Sequence, residues 1–320
     1  MFSKYLSAFA SLQTLTLQLL FHSEGPARDY GIHLAVEPKC GNLSSGIPAN
    51  TNFGVYPLGD YNTIISFGDS FTSTGTPNGG TPSPPIVRLP SLLAGGRVSD
   101  GYMWVEYLKQ DYHIPSLRDY AIGGAVTSSP LWPKYSLPST DFVHQVATFR
   151  NQHLTPDPNT TLYTIFFGIN DNYAAITYGP ASNMLQAAQV ILNQIALLMM
   201  PPINARSFLV LDIYGRGTPS EMGEQFKQKV FEGLYRLSQN NGDLRVGYVD
   251  FRTLWTGVLN NPGLEAFGFR ALGPCWINPQ NICRDRAHTF YWSLLHPGTQ
   301  GHRLMADYVT QVVDKCQEYF

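Results

Sequence analysis

The chain reads as an α/β protein, a parallel sheet covered by helices in one domain. Short apolar, β-branched runs recur from about Tyr61 onward, each stopped by glycine or a polar exit. Amphipathic stretches long enough for helices separate these runs. No composition break and no internal repeat divides the sequence.

The elements follow in order. TIISFGDS (63–70) is a buried parallel strand bounded by Gly68. TPNGGTPSPP (76–85) is too rich in breakers for regular structure. YMWVEYLKQD (102–111) has helical spacing, with Trp104, Val105 and Leu108 on one side. IPSLRDYAIGGAVT (114–127) is a short strand ending at Gly123-Gly124, and a short helix runs from Gln145 to about Gln152. TLYTIFFGIND (161–171) is a third strand with a polar exit after Gly168. Residues 182–200 form a helix stopped by Pro201-Pro202. SFLVLDIY (207–214) is the next buried strand, Gly223 to Asn241 an amphipathic helix, and RVGYVDF (245–251) a fifth strand. A last helix starts at Thr299 and turns Leu304, Tyr308, Val309 and Val312 inward.

With 320 residues, 43% of them hydrophobic and 14% charged, the chain can bury a large core. Its formal net charge is −2 and it has no Lys/Arg run, so it lacks the basic stripe that nucleic acid requires. The opening MFSKYLSAFASLQTLTLQLLF resembles a secretory signal, although polar residues dilute its apolar run. The same residues make it too polar for a stable membrane span. Residues 1–50 are therefore expected to be a leader and arm, and 51–320 the folded domain of an exported protein. Two glycosylation triplets, at Asn42 and Asn159, agree with export. The four cysteines lack zinc-site spacing. Cys275 and Cys283 are placed to close a short ring, and Cys40 with Cys316 to join the two ends. Buried free thiols are the alternative for all four.

Ligands of an open parallel sheet bind at the carboxyl ends of its strands. Those ends carry Ser70, Gly124 and Asn170, and a late loop carries His296. Each has an ordinary reading alone: a turn serine, a glycine turn, a helix cap, a loop histidine. Together they supply what acyl transfer needs: a nucleophile, unobstructed N–H donors and a base. Trp104 and Trp292 read as core rather than sugar platforms, and His302 as packing or a contact behind the site residues.

These residues fall in FGDSFTSTG (67–75), AIGGAV (121–126), FGIND (167–171) and HPGTQGH (296–302), whose order and spacing resemble the GDSL or SGNH hydrolases. WVEYL (104–108), the Cys275/Cys283 loop and FYW (290–292) are most similar to the fungal branch grouped as carbohydrate esterase family 16, acetylesterases of plant cell-wall sugars. The resemblance implies a three-layer α/β/α, flavodoxin-like fold with a central parallel sheet. It also implies Ser70 as nucleophile and His296 as general base. The oxyanion hole would come from the N–H groups of Ser70 and Gly124 with the Asn170 amide. Asp69 and Asp171 would hold turns. The substrate would be a small-molecule or oligosaccharide ester; no metal or organic cofactor is implied, and the oligomeric state stays open.

One departure matters. The family places Asp three residues before the histidine, where this chain has Ser293. Loss of that orienting acid costs triad enzymes roughly 10⁴-fold in turnover. A backbone carbonyl, Ser293 itself or a distant carboxylate such as Asp285 is left to orient His296. Failing these, the chain is a weak or silent sugar-binding homologue. Ser73, Asp119 and Gly298 are smaller departures. A lipase or lysophospholipase acting on longer acyl chains is the other alternative. An ordinary imidazole base gives activity that rises through roughly pH 6–7.

Overall fold

The computed structural model describes residues 30–40, 51–136 and 140–317. Its centre is a six-stranded sheet of β1 (Asn52–Phe53), β2 (Thr63–Gly68), β3 (Ser116–Asp119), β4 (Thr161–Phe166), β5 (Ser207–Asp212) and β6 (Arg245–Asp250). The spatial order is β1-β6-β5-β4-β2-β3, parallel throughout except for antiparallel β1. Strands buried on both faces send successive side chains to opposite sides. In β2, Ile64 joins one core and Ile65 and Phe67 the other; in β5, Leu209 and Leu211 oppose Phe208 and Val210.

The first core lies under α1 (Trp104–Asp111), α6 (Arg252–Leu259) and α7 (Thr299–Lys315). The second lies under α2 (Phe142–Asn151), α4 (Asn183–Met199) and α5 (Glu221–Asn240). The result is a three-layer α/β/α sandwich around a mostly parallel sheet. Between β4 and α4 runs α3 (Ile169–Tyr178). Two small hairpins, β7 (Trp276–Asn278) with β8 (Asn281–Ile282) and β9 (Tyr291–Ser293) with β10 (His296–Pro297), precede α7.

Several elements differ from the sequence expectation, each for a local reason. The strand expected over 114–127 stops at Asp119, because the Asp119 carboxylate accepts Ala121 N–H (3.0 Å) and turns the chain out. The helix expected from Gln145 begins at Phe142, capped by Asp141, which accepts His144 N–H at 2.9 Å. α3 shows no apolar period because Tyr173 and Ile176 face solvent. Trp104 and Trp292 are both buried core.

The long segment between β2 and α1 is fastened by a buried ion pair. Arg97 donates from two nitrogens to the two oxygens of Glu106, each at 2.7 Å, and to the carbonyls of Ser83 and Ala94. Residues 30–40 pack on the domain, with Ile32 buried and His33 N–H donating to Phe267 O. Residues 30–40, within the stretch expected to be an arm, thus lie against the domain. The leader expected at the N-terminus and the Asn42 triplet lie outside the described residues; Asn159 is exposed. No described helix is long and apolar enough to cross a membrane.

All four cysteines are paired, Cys275 with Cys283 and Cys40 with Cys316. The second bond joins residues 276 apart, and a loop that long restricts the unfolded chain strongly. Replacing Cys40 and Cys316 by Ser is expected to lower the unfolding free energy by about 2–5 kcal/mol in urea titrations. An unchanged midpoint would mean that packing of the 30–40 segment suffices without the bond.

Candidate active site

β2 and β4 pair in register from Thr63–Thr161 to Gly68–Phe166, so both strands end at the same level. The β2 end needs glycine: a Cβ on Gly68 would stand 3.1 Å from Phe166 O and 2.9 Å from Thr72 Oγ1. Gln145 of α2 holds this peptide by accepting from Gly68 N–H and donating to its carbonyl. Ser70 follows two residues later. The β4 exit uses Gly168 at φ 121°, where a side chain would meet Phe226 and Asp212. Asn170 then falls in the first turn of α3.

Asp69 is fully buried, and its Oδ1 accepts Phe71 N–H at 2.9 Å. Its other oxygen accepts from Asn170 Nδ2 at 3.0 Å. The same Nδ2 donates to Ala125 O, also at 3.0 Å. Tyr135 Oη lies 3.0 Å from Gly124 O and 3.3 Å from Asn170 Oδ1, donating towards both. That contact fixes the amide: Oδ1 faces the tyrosine and Nδ2 faces the acid. Gly124 itself has φ 81°. A methyl on Gly123 would stand 3.7 Å from Ser70 Cβ, which brings the glycine pair against the serine. The N–H groups of Ser70 and Gly124 donate to no described residue.

His296 closes the arrangement. Its Nε2 lies 2.9 Å from Ser70 Oγ, and its Nδ1 lies 3.0 Å from Leu294 O. A carbonyl only accepts, so Nδ1 carries the proton and Nε2 presents a lone pair to the serine hydroxyl. Neither Ser293 nor Asp285 takes this place. Ser293 is only the cross-strand neighbour of His296, and Asp285 binds Arg270 and His288. The carbonyl is aimed by a two-residue hairpin loop, Leu294-Leu295, in which Leu295 sits at φ 58°. A left-handed leucine costs about 1–2 kcal/mol, which the surroundings must hold in place. They do so through Trp292 Nε1–H donating to Leu92 O (2.8 Å) and Thr299 N–H donating to Asp100 (2.7 Å).

Burial dominates the electrostatics. It pushes the His296 imidazole down to about 4, the Leu294 carbonyl opposing and the Arg216 charge assisting. This contrasts with the ordinary imidazole range expected from sequence. Burial also pushes Asp69 up to about 7, with Phe71 N–H opposing and Asp171 adding to the rise. Asp171, raised by burial too, accepts from Thr127 and Trp132 and so holds the segment after Gly124 against α3. His302 is fully buried, with both ring nitrogens lacking a partner among the described residues, and burial lowers it to about 3.

The four residues selected from the sequence therefore lie together. Three neighbours were not singled out: Leu294 acts through its backbone, which no residue pattern encodes; Tyr135 lies in a loop without a motif; and Arg216 follows β5. The polar exit of β5 was the available signal for the last.

Thermolabile hemolysin of Vibrio parahaemolyticus serotype O3:K6 (strain RIMD 2210633) is 22% identical over 293 residues, covering 81% of this chain and 65% of the hemolysin. The chain thus spans less than two thirds of that relative's length. Among solved structures, a lipolytic protein of the G-D-S-L family from Veillonella parvula DSM 2008 is 14% identical with a TM-score of 0.44, over 79% of this chain and 98% of that one. Axe2, an acetylxylan esterase from Geobacillus stearothermophilus, is 15% identical with a TM-score of 0.42, over 81% and 96%. Residues 64–309 match the GDSL-like lipase/acylhydrolase family, and the chain belongs to that family.

Proposed function

We propose that the protein is a secreted serine esterase that removes short acyl groups, acetyl above all, from plant cell-wall carbohydrates. The observation that carries the chemistry is the 2.9 Å contact between Ser70 Oγ and His296 Nε2, with Nδ1 engaged by Leu294 O. In this reading His296 takes the Ser70 proton as Oγ attacks the ester carbonyl, then passes it to the leaving alcohol. Water activated by the same imidazole cleaves the acyl-enzyme and releases the acid. The free N–H groups of Ser70 and Gly124 receive the oxyanion. Asn170 joins them when one Nδ2 hydrogen turns from Asp69 or Ala125 towards it. Each such donor is typically worth about 2.7–4 kcal/mol.

The carbonyl of Leu294 performs the orienting half of the usual acid's task, since it fixes tautomer and ring direction. It brings no charge to stabilise the imidazolium, so turnover below that of a full triad is expected. The two disulfides support an oxidising, extracellular setting. The choice of carbohydrate rests on the resemblance to the family 16 carbohydrate esterases. A second reading, a lipase or lysophospholipase on longer acyl chains, draws on the apolar groups exposed on the histidine loop: Leu294, 74% exposed, and Leu295.

A p-nitrophenyl ester series from two to twelve carbons, run with the intact protein and Ser70→Ala, separates these readings. Greatest kcat/KM at two carbons, lost at least about 10³-fold in the variant, is the expected result. A maximum at eight or more carbons favours the lipase reading, and flat zero the silent homologue. Only neutral His296 can accept the serine proton, so kcat/KM should rise through about pH 4 and be level by pH 6. An inflection near 6.5 would contradict the effect of burial. Tyr135→Phe removes the hydroxyl shared by Gly124 and Asn170. It should lower kcat about tenfold with KM little changed, as for a lost hydrogen bond of about 1.4 kcal/mol; full kcat would remove Tyr135 from the site.

A further inference from the structure

The loop leaving β5 carries a cation that the scheme above does not use. Arg216 and Gly217 occupy the centre of a tight turn closed by Thr218 N–H donating to Gly215 O at 2.9 Å. Their φ values are 47° and 90°. Positive φ at both central positions defines a type I′ turn, which Gly and Asn enter readily and arginine does not. A strained backbone is thus tolerated to present a long cationic side chain at this spot.

Its location is fixed by packing. A methyl on Gly217 would stand 2.9 Å from Leu259 Cδ1 and 3.6 Å from Trp255 Cβ. The Trp255 ring lies 6.2 Å from Phe71, whose ring lies 5.4 Å from that of His296. The Arg216 side chain is half-buried, and its guanidinium makes no hydrogen bond or ion pair with a described residue. Its charge acts on Asp69, which precedes Ser70, on His296, which contacts the serine hydroxyl, and on Tyr291. A planar fork of five donors so placed, without a fixed acceptor, suits a carboxylate or phosphate.

Building on the esterase reading, we propose that Arg216 is a specificity residue that binds an anionic group, carboxylate or phosphate, on the alcohol portion of the ester. The alcohol side follows from the chemistry: the leaving oxygen takes its proton from His296, the imidazole on which the Arg216 charge acts. The simpler role, a counter-charge for buried Asp69, does not require a type I′ turn. Asp69 also already accepts from Phe71 N–H and Asn170 Nδ2.

The test compares acetyl esters whose leaving phenols carry different para charges, each ratio taken between intact protein and variant so that intrinsic reactivity cancels: phenyl acetate, 4-acetoxybenzoate, 4-acetoxyphenyl phosphate and (4-acetoxyphenyl)trimethylammonium. In Arg216→Gln the ratio of kcat/KM for the anionic esters over phenyl acetate should fall about tenfold or more, the range of a charge-assisted hydrogen bond. Arg216→Lys should restore much of it. The cationic ester should gain in Arg216→Gln. The benzoate and phosphate arms tell which anion is preferred. An equal loss with all four esters would assign Arg216 to Asp69 instead, and an unchanged ratio would remove it from substrate recognition; either overturns the proposal. Should the intact protein leave phenyl acetate untouched, the esterase reading fails separately. Calorimetric binding of 4-hydroxybenzoate and 4-hydroxyphenyl phosphate against phenol then decides. Anion preference lost in Arg216→Gln supports the proposal, and equal binding of charged and neutral ligands refutes it.

Discussion

Everything at the site depends on β2 being locked between β3 and β4. Ile65 stands opposite Arg118 on one side and Tyr163 on the other, and the β4 pairing continues to Gly68–Phe166. A slip of one residue would exchange the two faces of the strand, driving Ile65 into the core of Ile64. It would also move Ser70 away from Asn170, whose position depends on the β4 exit. The register is held by burial on both faces and by the hydrogen bond from Thr164 Oγ1 to Ser66 Oγ (2.8 Å) inside the sheet. The carboxyl edge can then assemble groups from distant parts of the chain without regular structure of its own.

The imidazole is held differently. It comes from outside the sheet, on a two-residue hairpin whose foundations are α7, the segment containing Leu92 and Asp100, and Trp292. Substituting a backbone carbonyl for the usual side-chain acid shifts the constraint from one residue's identity to the shape of a turn. That turn is strained at Leu295. The arrangement trades charge stabilisation for a neutral, desolvated environment in which the imidazole stays unprotonated to low pH.

Much of this was legible in the sequence. The central strands announced themselves because parallel strands buried on both faces are unbroken apolar runs. Ser70, Gly124, Asn170 and His296 stood at strand exits or in a glycine- and proline-marked loop, where side chains are free of packing duties. Elements on the surface were less visible. α3 carries Tyr173 and Ile176 outward, so its period is blurred, and β1 is two residues long. The partner of His296 was legible only as some backbone carbonyl among other candidates, because a carbonyl belongs to every residue alike and only the turn decides which one points at the ring. Arg216 was overlooked for the opposite reason: a single arginine after a strand is common, and its unusual feature is a backbone angle.

The sheet's borders have a further consequence. β1 contributes only two residues against β6, and Asn52 N–H is satisfied by Cys316 O. At the other border β3 is four residues long, and Gly79 of the proline-rich loop donates to Asp119 O at 2.9 Å. Neither margin offers the long row of vacant amides that recruits a foreign strand. The loop rich in chain-breaking residues thus doubles as a guard against self-association through the sheet, and the staple at Cys316 keeps the opposite margin closed.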